Sequence, residues 1–227
     1  MAYRLSLKLF WRELKSGQLI IMFFSLVLAV ATVSSISLFT DRLEKALMME
    51  TQEFLGGDLK FESNDLIEDE VYEKIQKLNL KTSEMVQFAS MLSSQGNLQL
   101  ASIKAVDKNY PLVGEMELQS ESFNEIVKNP PRKGQVWLDR RLMDILDLQI
   151  GETVSIGEAD FSVSHIIITE PDRASNSFAF AAKAIINMED LASTNVIQPG
   201  SRVRFASLYI GEKDEILLLK NIIVIFF

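Results

Sequence analysis

The side chains able to do chemistry in this chain are few and poorly placed for it. His165 is the only histidine, set between Ser164 and Ile166-Ile167-Ile168, where an imidazole is more often a satisfied core or edge residue than a base. Glu68-Asp69-Glu70 and Glu115-x-Glu117 pair carboxylates. Such a pair serves acid–base work only where the surroundings push the two pKa values apart, and in charge runs like these it forms a solvated face. Asp172-Arg173 follows Pro171 and has the composition of a turn. Met85, Met91, Met116 and Met143 read as scattered core positions rather than a ligand surface. The chain has no cysteine, which excludes a disulfide framework and a thiolate metal site. No Gly-x-Ser-x-Gly elbow, phosphate-cradling loop or metal-spaced His/Asp/Glu set occurs. The expectation is no catalytic residue, no metal and no cofactor-binding residue, and so no enzyme. With 23 basic against 31 acidic residues, a nucleic-acid partner is not expected either, because phosphate backbones need a basic face.

What this chain must position is set by its apolar segments. Residues 16–40 carry no charge between Lys15 and Asp41, and as a helix they extend roughly 37 Å against about 30 Å of bilayer core. Leu19, Ile20, Ile21, Phe23, Phe24, Leu26, Leu28, Val33, Ile36 and Phe39 fall in this run. Its serine and threonine hydroxyls can bond back to their own helix, so they cost little in lipid. The competing reading is a cleaved signal peptide, since Ala29-Val30-Ala31 mimics a cleavage site. A signal's apolar core is about 7–15 residues, and here uncharged residues continue past Ala31, which favours an uncleaved anchor.

The flanks orient the anchor. Arg4, Lys8, Arg12 and Lys15 precede it against Glu13 alone, and positive residues beside a span stay cytoplasmic. Tyr3, Leu7, Phe10, Trp11 and Leu14 recur at helical spacing with those cations on another face. Residues 1–16 therefore read as an amphipathic helix in the cytoplasmic interface, with Trp11 at headgroup depth; a basic flank without fixed structure is the alternative. The remainder then lies outside. A transmembrane helix over residues 17–40 continues as a polar stalk over residues 41–57. Leu43, Leu47, Glu50 and Phe54 share one side of that stalk, and Gly56-Gly57 supplies a left-handed stop.

Beyond the stalk the period switches to alternation over residues 58–62. Residues 68–80 are helical through Val71, Ile75 and Leu78. Residues 85–92 and 98–106 flank Ser93-Ser94-Gln95-Gly96-Asn97 as a hairpin. Asn129-Pro130-Pro131-Arg132-Lys133-Gly134 is the clearest linker-like break. A strand over residues 135–138, a helix over 139–146 and a β-rich stretch over 153–169 follow. Strands and helices mix without strict alternation, so the fold class is α+β: one N-terminal transmembrane helix and stalk, then a mixed domain over residues 58–211. The apolar tail, residues 212–227, is too short to span a bilayer as a helix and invites aggregation if uncovered. It reads as the end of a truncated or frame-disturbed product, with a buried final strand as the alternative.

Several of these segments, in this order, resemble the amino-terminal part of MacB/FtsX-type ABC transporter permeases, and most of all their YbbP-like branch. They are Trp11-Arg12-Glu13-Leu14-Lys15-Ser16-Gly17-Gln18-Leu19, Leu38-Phe39-Thr40-Asp41-Arg42-Leu43 and Leu55-Gly56-Gly57-Asp58-Leu59. Further on come Ala101-Ser102-Ile103-Lys104-Ala105-Val106-Asp107, Tyr110-Pro111-Leu112-x-Gly114-Glu115, Gly134-Gln135-Val136-Trp137-Leu138-Asp139 and Leu146-x-Leu148-x-Ile150-Gly151-Glu152-Thr153-Val154. Glu170-Pro171-Asp172-Arg173 and Gln198-Pro199-Gly200-Ser201-Arg202-Val203 extend the likeness.

The resemblance implies a MacB-type periplasmic core domain on an inner-membrane permease that is a homodimer in its full-length form. It also implies that a separate cytoplasmic ABC ATPase uses ATP and drives the external domain through the stalk, acting on lipids, lipoproteins or envelope partners. The later spans of such permeases, and the segment that docks the ATPase, have no counterpart in this sequence. A different class of function stays open beside it: a single-pass envelope scaffold or sensor whose external domain binds a ligand or protein.

Overall fold

The computed structural model describes residues 17–65, 69–120, 123–172, 182–198 and 200–226. The chain divides into two compact units, residues 1–50 and 51–227. Helix α1 (Gln18–Leu55) is a single α-helix of 38 residues, about 57 Å long at 1.5 Å per residue. No glycine or proline interrupts it, so nothing removes a backbone bond or adds loose backbone along its length. It is the one helix among the described residues long and apolar enough to cross a membrane, and its apolar window has no protein cover. Ile21, Phe24, Leu28, Val33 and Phe39 are exposed around it, each gaining roughly 1.5–3 kcal/mol on leaving water. The expected hydroxyl compensation is present: Ser25 donates to the Met22 carbonyl at 2.8 Å and Thr32 to the Leu28 carbonyl at 2.7 Å.

The second unit is built on ten strands joined in one sheet. They are β1 (Leu59–Ser63), β2 (Lys81–Ser94), β3 (Asn97–Val106), β4 (Met116–Gln119), β5 (Asn124–Val127), β6 (Gln135–Asp139), β7 (Thr153–Ile156), β8 (Ala159–Thr169), β9 (Ala182–Asn187) and β10 (Val203–Ile210). Strands β3 and β9, and β6 and β8, run parallel; the other pairs are antiparallel. The long hairpin β2–β3 turns through Gln95 and Gly96, both at positive φ, the two-residue geometry that matches strand twist.

Pairing closes on itself. Strands β2, β3, β9, β6, β8 and β7 form a ring, because the short β7 bonds to both β8 and β2. Alternate residues of the ring point inward, and Phe88, Leu92, Ile103, Val136, Leu138, Val154, Phe161, Val163 and Ala184 make one apolar core there. Helix α3 (Arg140–Leu146) inserts Leu142, Met143 and Leu146 into the same core. Asp139 fixes that helix: one carboxylate oxygen accepts from the Leu142 amide at 2.8 Å and the other from the Lys183 amide at 2.9 Å. A second cluster joins Met85, Val106, Trp137 and Ile185 of the ring to Tyr110, to Met116 of β4 and to Ala206 and Leu208 of β10.

Several expectations change. The break at residues 129–134 is a loop between β5 and β6, two strands of the same sheet. The apolar tail is neither a strand nor loose chain: α4 (Lys213–Phe226) is a helix. Its Ile216 and Leu219 recur at helical spacing and bury against Val71 and Ile75 of α2 (Asp69–Gln76) and Tyr209 of β10. A near-continuous apolar run hides that period from sequence. Met91 is 45% exposed rather than core, since it points to the outer face of the hairpin while Leu92 points in.

Candidate functional site

The end of α1 is where backbone geometry becomes restrictive. Gly56 follows Leu55 at φ 75°, the left-handed stop that glycine adopts without cost. A Cβ on Gly56 would lie 2.9 Å from the Asp172 Cβ, and one on Gly57 would lie 2.9 Å from the Tyr209 carbonyl oxygen. Both glycines are buried. They permit the chain leaving the helix to press onto β10 and onto Asp172.

Asp172 is the centre of a buried ion network. Its side chain has no solvent exposure and pairs with Lys60 of β1 and, at 2.9 Å, with Lys104 of β3. Lys104 also reaches Glu170 at 3.3 Å and the Tyr110 hydroxyl at 3.5 Å, with its ammonium 5.5 Å from the Tyr110 ring centre. Glu170 pairs in turn with Lys183 of β9. At the other end Lys60 meets Glu62 at 3.3 Å, and Glu62 meets Arg204 of β10 at 3.5 Å. Alternation explains the gathering: these residues occupy the strand positions opposite to Phe61, Ile103, Ala184 and Val203, which face the other side. Four strands of the sheet are thereby tied, through charge, to the segment after β8.

Burial disfavours the charges of Lys104 and Glu170, and their partners outweigh it. Burial alone would lower the Lys104 pKa, yet the Tyr110 oxygen, Glu170 and Asp172 hold it well above the ordinary lysine value. Burial would raise Glu170, yet Lys104 and Lys183 keep it below the ordinary glutamate value. Tyr110 is pushed up by burial and by the two carboxylates. A lysine that stays protonated and a carboxylate that stays ionised exchange no proton near neutrality, where general acids and bases must. What such a network does well is hold geometry.

Arg4, Lys8, Trp11, Arg12 and Lys15 lie outside the described residues. Leu43 and Leu47 are exposed on α1, and Phe54 lies within its bounds. Gly56 packs against Asp172 of the network, and Gly57 against the Tyr209 backbone. Asp172, expected only as part of a turn, is the centre of a buried ion network. Lys60, Lys104, Glu170 and Lys183 were not anticipated. Lys104 inside the apolar strand 98–106 was the available signal, since a lone charge on a strand buried on both faces must find a partner. His165 is partly buried on β8: its Nε2 lies 2.9 Å from a Glu125 carboxylate oxygen, and its ring stands edge-on to Trp137. A cleft of about 440 Å³ opens on the opposite face of β1 and β10, between Phe61, Tyr72, Val86, Met188 and Phe205. No residue of the network lines it.

The chain matches no family model. Over 207 residues, 91% of its length, it is 34% identical to YbbP of Escherichia coli strain K12, described as an uncharacterized ABC transporter permease. The chain is a relative of the YbbP-type ABC transporter permeases. It spans 25% of the length of that permease. A partial likeness to two solved structures of transporter domains is found as well. The extracellular domain of the ABC-type transporter YknZ from Gram-positive bacteria has a TM-score of 0.47 and 10% identity, covering 67% of this chain and 78% of that one. The periplasmic region of MacB from Actinobacillus actinomycetemcomitans has a TM-score of 0.46 and 12% identity, covering 69% and 71%.

Proposed function

We propose that this chain is the anchor and external-domain portion of an ABC permease that converts ATPase-driven movement of a membrane helix into displacement of a periplasmic domain. The observation that carries this reading is α1 itself, unbroken from its lipid-suited segment to Leu55 and ending on glycines pressed against the sheet. In this reading residues before the span face the cytoplasm of an inner membrane, and the sheet domain faces the periplasm. A separate cytoplasmic ABC ATPase supplies the energy, the full-length protein works as a homodimer, and the work is done on lipids, lipoproteins or envelope partners. The ion pairs that link β1, β3, β9 and β10, most of them through Glu170 and Asp172, suit a domain that must move as one piece.

The test uses a full-length relative carrying the same segment. Leu47→Pro removes a backbone bond in the middle of the exposed helix and costs about 3 kcal/mol of helix stability. It is expected to uncouple ATP hydrolysis from the envelope phenotype while insertion persists, with Gln52→Ala silent. Full activity in the proline variant would reduce the helix to a tether and remove the basis of this reading.

A further inference from the structure

Asp172 is a residue with a Cβ held at φ 65°, a conformation that L side chains rarely adopt and that short polar residues tolerate best. Two observations meet there. Its carboxylate is fully buried between Lys60 and Lys104, which come from β1 and β3. Its Cα and Cβ form the surface on which Gly56 sits, at 3.7 and 2.9 Å from where a Gly56 Cβ would be. Disfavoured backbone persists where the surroundings over-determine it, and it concentrates at sites where geometry matters. Here two ammonium ions are among the groups that hold it, and what is positioned is the exit of a helix.

We infer that Asp172 is a latch. Lys60 and Lys104 hold its backbone in the left-handed conformation, and that conformation fixes where residues 51–57 leave α1 and meet the sheet. Without the charge on Asp172 its backbone gains access to the ordinary φ < 0 region. The Cβ then swings away from Gly56, and the helix exit acquires a second position. The latch has two sides, so enlarging Gly56 should open it as surely as discharging Asp172. Its purpose rests on the force-transmitting reading above; its existence does not, because it is a property of the resting chain.

The chain lacks cysteine, so two spin labels can be placed cleanly in the full chain in lipid nanodiscs. Thr51→Cys marks the last turn of α1 and Asn97→Cys marks the exposed hairpin turn, and their separation is read by pulsed electron resonance without ATP or any ATPase. The parent chain should give one narrow distance distribution. Asp172→Asn, which keeps tolerance for the left-handed region and removes only charge, should add a second component displaced by several ångströms. Gly56→Ala should add the same component. Leu146→Ala, which opens the barrel core elsewhere, should lower the melting temperature and leave one distribution. Should Asp172→Asn not fold, Lys60→Met is read in its place with the same expectation. A single unshifted distribution in both the charge variant and Gly56→Ala overturns the latch, whatever happens to stability. Loss of ATP coupling in Leu47→Pro with an intact latch separates the two proposals.

Discussion

Replacing Lys104 by methionine keeps the length of the stem against Tyr110 and removes the ammonium that joins Asp172 to Glu170. Neither carboxylate is left wholly unpartnered, since Lys60 still meets Asp172 and Lys183 still meets Glu170. Breaking a buried pair by removing one partner costs about 3–5 kcal/mol, and the surviving lysines place this case near 3 kcal/mol. For a unit of this size, each kcal/mol moves the melting temperature by about 2–4 °C, so Lys104→Met should melt roughly 6–12 °C lower at neutral pH. The assay is thermal unfolding of the full chain in detergent, followed by near-ultraviolet circular dichroism across pH. Glu170 is held below the ordinary glutamate value by Lys104 and Lys183, so its contribution is complete above that ordinary value and is lost as pH falls through the folded one. The gap between parent and variant should therefore stay constant from neutrality down to about pH 5 and narrow below about pH 4. Lys104 is held above the ordinary lysine value, so its contribution survives until pH rises past that value. A cost under about 1 kcal/mol, as for an exposed pair, or a gap unchanged by acid, would refute the reasoning.

Asp139→Ala removes the N-cap of α3 and the acceptor for the Lys183 amide together, and should cost about 1–2 kcal/mol by urea unfolding, with Asp139→Asn milder. A reporter active only outside the cytoplasm, fused after Gly211, should be active, and replacing Arg12 and Lys15 by glutamate should weaken that orientation.

Much of the architecture was legible because it follows from period. The apolar run before Asp41, the alternation that yields β1, and the paired runs around Gln95-Gly96 are local signals, and the strands and helix formed where those signals stood. The ion network was not legible. Lys60, Lys104, Glu170 and Lys183 are scattered along the chain, and only the sheet order β1-β10-β2-β3-β9 brings the three lysines to one face. Asp172 looked like turn chemistry because Pro-Asp is turn chemistry locally; what buries it is a strand distant in sequence. The ring closure through β7 is equally non-local, resting on the bond between Leu92 and Ile156 partners. The tail misled for a different reason: an apolar segment carries no contrast from which a period can be read.

The central claim is that α1 remains a helix all the way to its junction with the sheet. Hydrogen–deuterium exchange of the full chain in nanodiscs, read over residues 41–55, tests it most directly. A continuous helix, capped by Gly56 and closed onto Asp172, should slow those amides at least about tenfold relative to unstructured chain, equivalent to about 1.4 kcal/mol, with protection continuing to Leu55. Exchange at the unstructured rate beyond Asp41 would show a frayed tether, and a frayed tether transmits no force.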